Sequence, residues 1–138
     1  MVTLLIGKKG SGKTKKLIQL ANEAVAASQG NVVVIEKGAK LTYDITSKAR
    51  LIDTDQYGVA GYDMLFGFLS GICAGNYDVT DILVDSTFKI APEGVAGLEA
   101  FTAKLQTLSE TSNANIVMLI SASEDDLPSE INAVCEKV

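Results

Sequence analysis

The chain has 138 residues, 47% of them hydrophobic, with a net charge of −5 at neutral pH and no histidine. That length suits one domain, residues 1–138, which buries roughly two thirds of its unfolded surface without metals or disulfides; no apolar run approaches the ~20 residues that cross a bilayer, and the start lacks a secretory layout, so a cytoplasmic protein with no membrane partner is expected. The acidic balance argues against nucleic acid as a main partner, because such binding neutralises phosphates with Lys and Arg.

Val2-Thr3-Leu4-Leu5-Ile6 is a short apolar run suited to a buried strand. GKKGSGKT follows at residues 7 to 14 and fits G-x-x-x-x-G-K-[ST], with Gly7, Gly12, Lys13 and Thr14 in the fixed places. The glycines let successive N–H groups point inward around a polyphosphate, making an anion nest from Gly7, Lys8, Lys9, Gly10, Ser11 and Gly12. Lys13 opens the next helix, where it reaches the β and γ phosphate oxygens, and the Thr14 hydroxyl is placed to ligate Mg²⁺. Lys15 to Ser28 carries Leu17, Leu20, Ala21, Ala24 and Val25 at helical spacing, so the motif sits between a strand and a helix whose positive end faces the phosphates. Lys8, Lys9, Lys13, Lys15 and Lys16 place nearly half of the basic charge in this stretch. Lys8 and Lys9 suit a phosphate or a partner, and Lys15 borders the site, although Lys15 and Lys16 also read as a solvated helix face.

These residues resemble the P-loop nucleoside triphosphatase superfamily, and more narrowly its additional-strand, RecA-like branch. The chain is also similar to small single-domain bacterial P-loop proteins that sometimes carry a twitching-motility label. The resemblance is anchored on Gly7 to Thr14 and extends loosely over the whole chain. It implies nucleotide binding with Mg²⁺.

Gln29-Gly30-Asn31 is a turn, and Asn31 to Glu36 (NVVVIE) is the clearest buried strand. Lys37 to Lys48 suits an irregular loop or edge hairpin, and Arg50 to Asp53 a short third strand before the acidic turn Asp53-Thr54-Asp55. Gly61 to Tyr77 has apolar pairs every four residues and predicts a helix; Gly67, Gly71 and Gly75 recur on one of its faces. Glycines cost helix stability, so the stripe asks for a compensating contact: close packing on the chain's own sheet, or a homo-oligomer or protein partner. Ile82-Leu83-Val84-Asp85 predicts a strand ending in a carboxylate, Gly94 to Ser112 a helix, Asn115 to Ser121 (NIVMLIS) a buried strand, and Pro128 to Lys137 a closing helix. Cys73 and Cys135 have no histidine to join them in a metal site and read as reduced, buried thiols. The alternation predicts an α/β three-layer sandwich, an open, mostly parallel sheet of four to five strands with helices on both faces.

The resemblance assigns further roles. Asp85, ending an apolar strand, matches the carboxylate that holds Mg²⁺ together with Thr14. The next position, often a water-activating Glu in hydrolytic members, is Ser86. A base must then come from elsewhere; Glu36 at the end of its strand is the first choice and Asp53 or Asp55 the second. Ser121 stands where a polar residue touches the γ phosphate or the attacking water, and Arg50, the only arginine, would serve alone or be supplied to a neighbouring subunit. Guanine-specific and transporter signatures are missing, which favours ATP over GTP by elimination. The resulting expectation is an ATP-binding protein with weak or partner-dependent hydrolysis, acting as a switch or as a subunit of an assembly. A standalone ATPase or phosphotransferase using Glu36 or Asp55, and an interaction module that binds nucleotide without turnover, remain open beside it.

Overall fold

The computed structural model describes residues 1–138. Six strands, β1 (Val2–Gly7), β2 (Asn31–Glu36), β3 (Arg50–Asp53), β4 (Val79–Val84), β5 (Asn115–Ser121) and β6 (Cys135–Lys137), form one open sheet in the order β3-β2-β4-β5-β1-β6. Every strand pair is parallel. The helices are α1 (Lys13–Ala27), α2 (Tyr62–Gly75), the short α3 (Thr87–Ile90) and α4 (Leu98–Ser112). This is the anticipated three-layer α/β sandwich, with one strand more than expected.

The strands are buried on both faces, which is why they read as apolar runs rather than as alternating ones. Val33, Ile35, Ile82, Val84, Ile116, Met118, Leu4 and Ile6 face α2 and α4 in the larger core. Val32, Val34, Leu83, Leu119 and Leu5 face α1, with Leu17 and Ala21, in the smaller one. On the larger side α2 and α4 lie together, and the Tyr62 and Phe101 rings sit 4.6 Å apart between centroids. Leu41, Ile45 and Ala49 of the irregular segment after β2 complete the smaller core, so that loop is a lid over α1 rather than an edge hairpin.

The alternation fixes what stands at the carboxyl ends of the strands. Gly7, Glu36, Asp85 and Ser121 each follow the α1-facing set by two positions and so continue that face. Gly7 pairs in register with Ser121, and the Asp85 amide donates to the Ile35 carbonyl at 2.8 Å, extending the β2–β4 ladder by one residue.

Three expectations are corrected. Pro128 to Lys137 is not a helix: Ser129–Val134 is a 3₁₀ turn and Cys135–Lys137 a strand, pairing with Leu4 to Ile6 of β1. The otherwise open edge of β1 supplies ladder partners that outweigh a weak helical pattern. Cys135 is consequently only half buried, whereas Cys73 is buried, and both are free thiols. Finally, Gly67, Gly71 and Gly75 do not pack on the sheet: all three are exposed, and a Cβ at any of them would meet no neighbouring atom within 4 Å. Substituting alanine at Gly67 or Gly71 is therefore expected to stabilise the chain by about 1 kcal/mol each, read as a rise of roughly 3–5 °C in the unfolding midpoint. A fall in the midpoint would show that the glycines answer to a contact the chain alone does not make.

Candidate functional site

The loop between β1 and α1 is shaped by its glycines. Gly12 precedes α1 with φ +89°, a left-handed torsion that a side chain disfavours. A Cβ on Gly7 would fall on the Ser11 hydroxyl, so the loop closes over a position that only glycine fills. No side chain caps the amino end of α1, and its first turn contains no acidic residue. The positive end of a 15-residue helix is thus left facing the loop, with no side-chain cap of its own.

Lys13 is 7% exposed, and its Nζ donates to the Lys8 carbonyl at 2.9 Å and to Ser11 Oγ at 3.4 Å. Burial lowers its pKa, and the negative charge of Asp85 partly opposes that. An ammonium folded back onto its own loop, with neutral acceptors only, is poised for exchange onto a better anion.

Seventy-one positions beyond Thr14, Asp85 arrives from the end of β4. Thr14 Oγ1 donates to Asp85 Oδ1 at 3.2 Å, and Ser86 Oγ donates to Oδ2 at 3.0 Å. A hydroxyl and a carboxylate are thereby brought together at the mouth of a cleft of about 640 Å³ lined by Lys9, Gly10, Gly12, Lys13, Thr14, Lys15, Asp85, Ser86, Phe88, Lys89, Leu119 and Ser121. Lys8, Gly7 and Ser11 lie on the other flank of the loop, where they line a second cleft with the residues after β5. Of the residues marked in the sequence, Ser121 is exposed and lines the larger cleft.

Other expected participants lie elsewhere. Glu36 is on the same sheet face but 2% exposed, and its two oxygens accept from the Lys40 amide at 3.0 Å and the Leu41 amide at 3.1 Å. Burial raises its pKa, with the nearby charges of Asp85 and Asp53 adding to the effect and the two amides opposing it. Asp55 is exposed and pairs with Lys37 at 2.6 Å, while Asp53 accepts from the Gly38 and Asp55 amides at 2.8 and 2.9 Å. Arg50 begins β3, the edge strand four positions away from β1, which at about 4.8 Å per strand puts it roughly 19 Å from the loop strand. Its guanidinium reaches Tyr57 Oη at 3.5 Å.

Phe88 and Lys89, which the sequence pattern did not single out, do line the cleft. They belong to a helix of four residues, too short to produce a periodic signal; the only available cue was a lysine four positions after a strand-terminal aspartate.

No family model matches the chain, and no curated protein matches it. Among solved structures, the chain is similar to the pCW3 conjugation coupling protein TcpA, determined in a monomer form with ATPγS, at 14% identity and a TM-score of 0.47. The match covers 99% of this chain and 49% of that protein, so the chain spans about half its length.

Proposed function

We propose that the chain, acting as a single domain, binds ATP with Mg²⁺ at Gly7 to Thr14 and hydrolyses it slowly unless a partner intervenes, so that it works as a nucleotide switch or as a subunit of an assembly. The meeting of Thr14 and Asp85 beside an uncapped helix start is the observation that carries this reading. A carboxylate and a hydroxyl are hard oxygen donors suited to Mg²⁺, which keeps waters and phosphate oxygens for its remaining positions. No group of three or more His, Cys, Asp or Glu side chains is placed to hold a metal by itself, and a site made of Thr14, Asp85 and phosphate oxygens does not need one. Bound Mg²⁺ would supply charge neutralisation at the phosphates. The β5 strand between β1 and β4 supports the additional-strand branch, since the carboxylate strand is not adjacent to the loop strand.

Weak turnover follows from the same residues. Ser86 occupies the position next to Asp85, both oxygens of Glu36 are held by backbone amides, and Asp55 is tied to Lys37 outside the cleft. Asp85 is consequently the one carboxylate that lines the cleft beside Lys13 and Thr14, and it is assigned to the metal. The intrinsic rate is expected well below about 1 per second, because no carboxylate is placed to activate the water. Phosphate release from ATP by the purified chain, with and without Mg²⁺, measures it; turnover at tens per second would overturn the switch reading, and a failure of ATP·Mg²⁺ to raise the unfolding midpoint would overturn nucleotide binding itself.

A further inference from the structure

The residues just after Asp85 line the same cleft as the phosphate loop, and they begin with a backbone anomaly. Ser86 takes φ 50° and ψ 50°, the left-handed conformation, although it is not glycine. Such conformations persist where the surrounding structure over-determines them, often because the turn aims something. Here it folds Thr87 to Ile90 back against the sheet edge: the Lys89 amide donates to the Ser86 carbonyl at 2.9 Å and the Ala91 amide to the Thr87 carbonyl at 2.8 Å. Thr87 and Ile90 are buried at 0% and 1% exposure and anchor the turn. Phe88 and Lys89 line the cleft together with Lys13 and Thr14.

Lys89 makes no ion pair in the chain; the three that exist join Lys37 to Asp55, Lys104 to Asp63 and Lys137 to Glu124. A lysine without an ion pair, on a short anchored helix that follows a different strand, therefore lines the same cleft as Lys13 of the loop. The only arginine is at the far edge of the sheet.

We propose that Lys89 is a catalytic residue of the hydrolysis, contacting the phosphoryl group in transfer from a helix separate from the one that carries Lys13 and supplying within the chain the cation that an arginine finger supplies elsewhere. The inference rests on the nucleotide-binding reading above. In the step it serves, the water oxygen forms a bond to the γ phosphorus while the bond to the β–γ bridging oxygen breaks. ADP keeps that electron pair, one water proton passes to a phosphoryl oxygen to give dihydrogen phosphate, and a proton is later lost to solvent. The Lys89 side chain stabilises charge on the equatorial oxygens, which is largest in the transition state. Its contribution is then to rate and to binding of a transition-state mimic, and little to ground-state affinity.

The test compares wild type, Lys89→Met and Lys89→Arg for affinity to ADP·Mg²⁺ alone and to ADP·Mg²⁺ with aluminium fluoride, alongside phosphate release from ATP. The side chain is exposed, so both variants are expected to fold with an unchanged midpoint. Lys89→Met should bind ADP within about threefold of wild type, yet lose at least about tenfold in affinity for the aluminium fluoride complex and about a hundredfold in turnover. Lys89→Arg should keep most of both. Wild-type affinity of Lys89→Met for the aluminium fluoride complex would overturn the assignment while leaving nucleotide binding intact. A wild-type chain that bound neither ADP nor ATP would overturn the reading on which it rests, and the assignment with it.

Discussion

Lys13→Ala is expected to fold normally and to bind ATP·Mg²⁺ roughly 10–150-fold more weakly than wild type, the loss of about 1.5–3 kcal/mol that accompanies removal of a charged hydrogen-bond donor. The expectation follows from the resting geometry. Nζ donates to the Lys8 carbonyl and Ser11 Oγ and is held by burial below its usual pKa, so a desolvated ammonium waits on neutral acceptors that a phosphate oxygen would replace with a full charge. The same geometry predicts that the unliganded variant loses little stability, because the desolvation of Lys13 is offset only by those two acceptors and by the Asp85 charge. Titration calorimetry for affinity and a thermal melt for the fold check both halves. Unchanged ATP affinity in a folded Lys13→Ala variant would remove the loop from the binding site.

The parts of the site legible in the sequence are those whose geometry is local. Gly7 to Thr14 is contiguous, and its shape is set by torsions within the loop and by the helix that follows. Asp85 was legible because a carboxylate ending an apolar run has one place to go, the carboxyl edge of the sheet. Register made the rest. Glu36 was placed correctly on the strand end, but whether its oxygens are free depended on where the Lys40 and Leu41 amides come to lie, which no periodicity encodes. Lys89 depended on one left-handed residue, Ser86, whose type gives no hint of that torsion. Pro128 to Lys137 misled because a proline after acidic residues suits the first turn of a helix and equally a turn leading into a strand, and the open edge of β1 decided between them. The glycine stripe misled in the opposite sense: the repeat was real, but the sheet-facing side of α2 is made by Leu65, Leu69 and Cys73 instead.

Glu36→Ala is expected to destabilise the chain by roughly 2–4 kcal/mol, a large effect for a carboxylate, while Glu36→Gln keeps the fold. The carboxylate ties the amides of Lys40 and Leu41 and thereby seats Leu41, 3% exposed, in the core beneath the segment that covers α1. The segment is also pinned to α1 by Asn22, which accepts from the Thr46 amide at 3.1 Å and donates to the Asp44 carbonyl at 3.3 Å. Alanine leaves one buried amide and one partly buried amide without their acceptor, and unfastens one end of that cover. Glutamine still offers an acceptor oxygen. The pH dependence separates a structural tie from a base held in reserve. Since burial raises the Glu36 pKa, the native chain keeps this proton to a higher pH than the unfolded chain does. The stability associated with that proton is full below the ordinary glutamate range and is lost as pH rises through the native value. Denaturant melts from acid to neutral pH should show that loss in wild type and a flatter profile in Glu36→Gln. If the residue is a tie, phosphate release by folded Glu36→Gln stays within about threefold of wild type, whereas removing a general base lowers it by about 10²-fold or more. A folded Glu36→Gln variant with abolished turnover would therefore restore Glu36 as the base and make the chain a standalone ATPase.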